Sequence, residues 1–92
     1  SKEDINMISR KVAVHNLTSF SFQNVGSFCE KMLNYNCEIV FKHSNIEGNI
    51  KSVLSVLAAC INEGDEIEVI CNGKDEKAAM KIIVDILEHG IL

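Results

Sequence analysis

The sequence predicts an α+β domain: a two-layer sandwich in which a four-stranded antiparallel sheet carries three helices on one face, in the order β-α-β-β-α-β-α. Three observations predict it. Apolar and polar residues alternate at period two around Val12, Ile39 and Ile67. Apolar residues recur at helical spacing after Ser21, Ser52 and Asp75. Turn-forming residues such as Ser44-Asn45 and Asn72-Gly73 separate the stretches, and proline is absent.

Residues 1–10 read as a polar lead-in and residues 11–92 as one domain. Val12 and Val14 alternate with Lys11, Ala13 and His15 as a first strand. Val25, Phe28, Cys29, Met32 and Leu33 then mark an amphipathic helix from Phe22 to Leu33, with Ser21 as its expected N-cap. Glu38 to Lys42 alternates again, with Ile39 and Phe41 on one face. The turn at Ser44-Asn45 leads into a short return strand, Ile46 to Ile50, weakened by Gly48.

Helical spacing resumes at Ser52 and stops at Asn62-Glu63-Gly64. Glu66 to Cys71 is the clearest strand, with Ile67, Val69 and Cys71 inward. Asp75 is the expected N-cap of a last helix through Ala79, Ile82, Ile83, Ile86 and Leu87, which Gly90 closes. The expected core joins Ile39, Phe41, Ile67 and Val69 to Phe28, Leu33, Ile83 and Leu87. A sheet of this kind keeps one wet face, which accounts for the outward charges.

Composition narrows the function. The 92 residues allow one modest core, and nearly half are apolar. The formal charge of −4 gives no overall attraction for nucleic acid. No apolar run approaches the roughly 20 residues that span a bilayer. The charged start, Ser1-Lys2-Glu3-Asp4, leads into no h-region, so no signal peptide is expected. Cys29, Cys37, Cys60 and Cys71 form no C-x-x-C pair, which removes the basis for zinc or thioredoxin chemistry. Each lies among apolar neighbours and reads as a small core or near-core residue of a cytoplasmic protein. Neither a cofactor nor a metal is expected.

Asn49-Ile50-Lys51-Ser52-Val53-Leu54, Gly64-Asp65-Glu66-Ile67-Glu68-Val69 and Asn72-Gly73-Lys74-Asp75-Glu76 resemble, in order and spacing, segments of the histidine-containing phosphocarrier (HPr) proteins, especially the Gram-positive type. The resemblance runs without a gap from Phe28 to the C-terminus. It implies the HPr open-faced sandwich, and at Ser52 the family's regulatory phosphorylation site. One departure stands out. The family carries Gly-apolar-His-Ala/Thr-Arg-Pro where the first helix begins, and counting back from Phe28 this chain reads Ser19-Phe20-Ser21-Phe22-Gln23-Asn24. Ser21 stands in place of the acceptor histidine, Gln23 of the arginine and Asn24 of the proline.

A relay needs a nucleophile that is reactive near neutral pH and whose phosphorylated form passes the group on. Imidazole meets both needs. A serine hydroxyl needs an added base, and its ester transfers poorly. The lost arginine also removes a bidentate phosphate partner. His15, His43 and His89 each stand alone, without a recognisable acid–base constellation, and read as structural or surface residues.

Ser52 reads as a helix N-cap, and the resemblance adds phosphorylation by a serine kinase/phosphorylase. The helix after it is apolar nearly all round, and a helix this short in a two-layer domain exposes a side. In HPr proteins the residues matching Val53, Leu54 and Leu57 form the docking patch, which leaves Val56, Ala59 and Ile61 to face inward. Lys51 and Ser55 would belong to its polar rim.

The expected function is therefore that of a non-enzymatic, HPr-like regulatory or adaptor protein of the phosphoenolpyruvate-dependent sugar phosphotransferase system. It would bind protein partners, a serine kinase/phosphorylase or a transcription regulator, and neither nucleic acid nor membrane. The alternatives are a true phosphocarrier with an unusual acceptor, His15 or Ser21, and an unrelated interaction domain on the same fold.

Overall fold

The computed structural model describes residues 7–15 and 24–90. Its elements are β1 (Met7–Ala13), α1 (Val25–Met32), β2 (Glu38–His43), β3 (Ile46–Asn49), α2 (Val53–Ala58), β4 (Glu66–Asn72) and α3 (Glu76–His89). The element order is the one the periodicity predicts. The strands form one sheet in the order β1-β4-β2-β3, every neighbouring pair antiparallel.

Alternation on the two central strands makes the core. Phe41 pairs with Val69 and Ile39 with Cys71 across β2 and β4, while Val12 pairs with Ile67 across β1 and β4. All six are buried, together with Phe28, Met32, Ile83, Ile86 and Leu87 from the helices. Each fully buried Val, Leu, Ile or Phe contributes roughly 1.5–3 kcal/mol before the entropy of ordering is counted. On the other face Lys11, Glu68, Lys42 and Glu47 stand in register across all four strands. Opposite charges placed so favour this register by a few tenths of a kcal/mol to about 1 kcal/mol per pair.

The structure corrects several details. β1 begins at Met7, so part of the lead-in is strand. It is an edge strand and mostly exposed, which is why its first half carries no clean alternation. Leu33 is not core: it is 63% exposed, and Met32 is buried in its stead. Val25, Phe28, Cys29 and Met32 complete the inward stripe of α1, and Leu33 falls at the C-cap, past the last packed turn. Ser21, Phe22 and Gln23, with the N-cap assigned there, lie outside the described residues.

Cys60 is exposed, in the left-handed turn (φ 52°) that follows α2, whereas Cys29, Cys37 and Cys71 are buried as expected. Burial pushes the Cys71 thiol up to about 12 and the Cys37 thiol up to about 11, so both stay protonated and unreactive at neutral pH.

Asp75 also differs. It sits at the N-cap of α3, but its side chain makes no cap hydrogen bond. Its two carboxylate oxygens instead accept from the backbone N–H groups of Asn36 (2.7 Å) and Cys37 (2.9 Å), which ties the start of α3 to the loop before β2. The N–H of Gly73 donates to Glu76 Oε1 at 2.9 Å in a part-buried bond. Gly73 is needed beside this junction. Its φ is 151°, and a Cβ there would stand 2.7 Å from Cys37 Cβ.

Gly48, read from sequence as a weakness in β3, has a packing role. A Cβ at this position would lie 2.8 Å from Phe41 Cε1 and 3.1 Å from Ser55 Cβ. The missing side chain leaves room for the Phe41 ring beneath α2. Gly48→Val should therefore cost about 1–3 kcal/mol, read as a lowered denaturant midpoint. An unchanged midpoint would mean that the ring moves aside freely.

The bonds to Asp75 carry a pH signature. The Asn36 N–H, first among several donors, holds its carboxyl below the usual carboxylate range. The folded value is thus lower than the unfolded one. Its stabilisation is present above the ordinary aspartate value, about pH 4, and is lost as pH falls through the lower folded value. The stability advantage of the native protein over Asp75→Asn should shrink on acidification through that window. An advantage independent of pH would show that the charge contributes nothing.

Candidate functional site

Local chemistry places α2 at the surface. Ile50 is fully buried, and its N–H donates to Ile39 O at 3.0 Å, which pins the chain to β2 just before the helix. Asn49 Oδ1 accepts from the Lys51 N–H at 2.9 Å. Ser52 is then extended (φ −103°, ψ 117°), and its Oγ accepts from the Ser55 N–H at 3.3 Å, so the N-cap read from the sequence is formed. At the other end the Ala59 N–H donates to Val56 O and the Cys60 N–H to Leu57 O, tightening the last turn.

A helix of six residues against one sheet has one dry side. Val56 and Ala59 take it, with Ile61 beyond, all buried. On the outer side Leu54 is 79% exposed and Val53 37% exposed, while Leu57 is half-buried against the core. Residues 53–58 contain no charged side chain. The site is therefore a small neutral apolar surface with a hydroxyl at its N-terminal edge. α1 packs beside it.

Lys51 does more than border this surface. Its Nζ donates to Tyr35 O at 2.7 Å and Cys37 O at 2.9 Å, both in the loop after α1. The ammonium is already partnered by two carbonyls, and Lys51 acts first as a strut between that loop and the start of α2.

Of the residues at the counted acceptor position, Asn24 is described. It occupies the N-cap of α1 without a side-chain cap bond, and its carbonyl accepts from the Phe28 N–H at 3.0 Å. The three histidines are dispersed. His15 follows β1, and its N–H donates to Leu87 O. His43 ends β2, and His89 ends α3. Among the described residues no group of three or more His, Cys, Asp or Glu is placed to hold a metal ion, and no helix is long and apolar enough to cross a membrane.

Sequence reasoning located Ser52, Val53 and Leu54 on this surface. It missed the Lys51 strut, the bonds to Asp75, and a contact between His43 Nε2 and Asp65 Oδ2 at 2.9 Å. Their partners lie 14 to 39 residues away, so no local spacing marks them.

Known proteins share this fold. The family described as "PTS HPr component phosphorylation site" matches residues 8–89, from β1 to the end of α3. The HPr-like protein Crh of Halalkalibacterium halodurans is 24% identical over 82 residues, covering 89% of this chain and 98% of its own. The phosphocarrier protein HPr of Mycoplasma pneumoniae is 38% identical over 50 residues, covering 53% of this chain and 57% of its own. The crystal structure of a phosphocarrier protein HPr from Bacillus anthracis superposes with a TM-score of 0.82 at 17% identity, over 88% of this chain and 96% of that one, and so shares the fold. With the match spanning nearly every described element, the chain belongs to the HPr family of the phosphotransferase system.

Proposed function

We propose that this HPr-family protein regulates or bridges other proteins rather than relaying phosphate, that it docks through the outer face of α2, and that phosphorylation of Ser52 controls the docking. The observation that carries this reading is the exposure of Leu54 two residues after the N-cap hydroxyl of Ser52. An apolar side chain left in water beside a modifiable hydroxyl suits a contact whose strength is set by adding charge. Because residues 53–58 carry no charge, a phosphoryl group on Ser52 would bring about −1.5 to −2 charges to a neutral surface. It would strengthen docking to a basic partner surface and weaken docking to an acidic one.

The identity of the residues at the counted acceptor position supports the rest. Ser21, Gln23 and Asn24 lack the imidazole, the guanidinium and the ring that the relay chemistry uses. The protein partners that fit are a serine kinase/phosphorylase and a transcription regulator of the same system, in the cytoplasm, with no catalytic step performed by this chain.

Two measurements test the reading. Intact mass after incubation with the serine kinase and ATP should rise by one acid-stable phosphoryl group, located at Ser52. Incubation with phosphoenolpyruvate and enzyme I should give no phosphohistidine. An acid-labile phosphoryl group on His15 or another histidine would instead establish a carrier with an unusual acceptor.

The substitution Leu54→Lys should change stability by about 0.5 kcal/mol or less, as for an ordinary surface site, while abolishing capture of the kinase or regulator. A large loss of stability would place Leu54 in the core. Capture at native strength would remove it from the docking surface.

A further inference from the structure

The face of the sheet turned away from the helices carries its side chains in rows. Burial of Val12, Ile39, Phe41, Ile67 and Val69 on the helix side sends their strand neighbours the other way. One outward row reads Lys11, Glu68, Lys42, Glu47 across β1, β4, β2 and β3. The next reads Ser9, Ile70, Val40, Asn49. A third runs Met7, Asn72, Glu38. Ile70 and Val40 are thus half-buried apolar residues at the centre of this face. Among the described residues the ion pairs are His43–Asp65 and Lys81–Asp85, so none of the four charges in the first row is held in an ion pair within the chain.

The order of these charges matters. Read from either end the row alternates, and turning it end for end exchanges every lysine position with a glutamate position. A two-fold axis parallel to the strands, running between β4 and β2, performs that exchange on a second copy laid face to face. Lys11 then meets Glu47 of the second copy and Glu68 meets its Lys42, each contact occurring twice by symmetry. The same axis sets Ile70 against Val40, Ser9 against Asn49 and Asn72 against Glu38. Apolar meets apolar, a hydroxyl meets an amide, and an amide meets a carboxylate. An axis laid along the charged row would instead set lysine on lysine and glutamate on glutamate, which like-charge repulsion disfavours. With the axis along the strands, the two sheets also run in one direction, as in the aligned class of sheet packing, within about 30°.

We propose that this wet face is the interface of a symmetric homodimer, in which two copies stack sheet on sheet about that axis and bury Ile70 and Val40 beside the facing charges. The contact is confined to the outward residues of four short strands, at the small end of specific interfaces, so the dimer is weak and reversible. The helices lie on the far side of each sheet. The outer face of α2 therefore stays open in the dimer, and the dimer does not depend on what docks there.

Sedimentation equilibrium of the native protein, at concentrations up to about 1 mM, should show the average mass rising from monomer toward dimer. Lys42→Glu alone and Glu68→Lys alone should each remain monomeric over the same range, because each sets like charges face to face. An equimolar mixture of the two variants should recover the dimer, since every facing pair again joins a lysine to a glutamate. Mixing cannot repair like charges side by side within one chain, so recovery reads the facing contact itself. A native protein that stays monomeric, a reversal that leaves the dimer intact, or a mixture that stays monomeric would each overturn the proposal. If a variant does not fold, the native protein supplies a second readout. The amide shifts of Val40 and Ile70 should move with protein concentration while those of α2 stay fixed. Shifts at Val40 and Ile70 that do not depend on concentration would overturn it as well.

Discussion

The register between β2 and β4 is the constraint on which the rest of this structure depends. With Phe41 opposite Val69 and Ile39 opposite Cys71, the two central strands commit their apolar residues to one face. A slip of one residue would send all of them into water and bring Glu66 and Glu68 inward, so the register tolerates no near neighbour. The helices follow from it. α3, with four turns, covers β1 and β4 with a full apolar stripe. α2, with six residues above β3, has sheet on one side and α1 beside it, and among the described residues no element covers the outer face that carries Leu54. The exposed Leu54 is thus a geometric consequence of a short helix on a one-sided sheet.

A short helix is weakly stable by itself, since too few backbone bonds offset its nucleation cost. Polar contacts at both ends compensate. At the N-terminal end Ile50 is buried, Ser52 caps the first turn, and Lys51 reaches back to the carbonyls of Tyr35 and Cys37. At the C-terminal end the Ala59 carbonyl is met by the His43 ring. Asp75 holds the same Asn36–Cys37 segment that Lys51 holds, from the side of α3. The loop after α1 thereby links the starts of α2 and α3, and the outer face of α2 sits on a frame whose joints are hydrogen bonds to backbone atoms.

The sequence revealed what has local periodicity. β2, β4 and α3 are legible because their alternation or helical stripe is complete within the element. The Ser52 cap is legible because a cap is a contact over three residues. β1 began earlier than the pattern suggested because an edge strand with little burial has no reason to alternate. Leu33 was misplaced because helical spacing does not say where the packed part of a helix stops. Asp75, Lys51 and His43 carry long-range bonds that no spacing rule encodes, and each looked from sequence like a cap, a rim charge or a solitary histidine. Most of the exposed outer face of α2 was therefore readable, and little of what holds that helix in place was.

The central claim is that the outer face of α2 is where this HPr-family protein meets its partner. Amide chemical-shift mapping of the isotope-labelled protein, titrated with the serine kinase/phosphorylase, tests it most directly. The account predicts that the perturbed amides centre on Ser52, Val53, Leu54 and Leu57 and fade along the sheet. Perturbations centred on the wet face around Lys11, Glu68 and Lys42, with α2 unmoved, would contradict it.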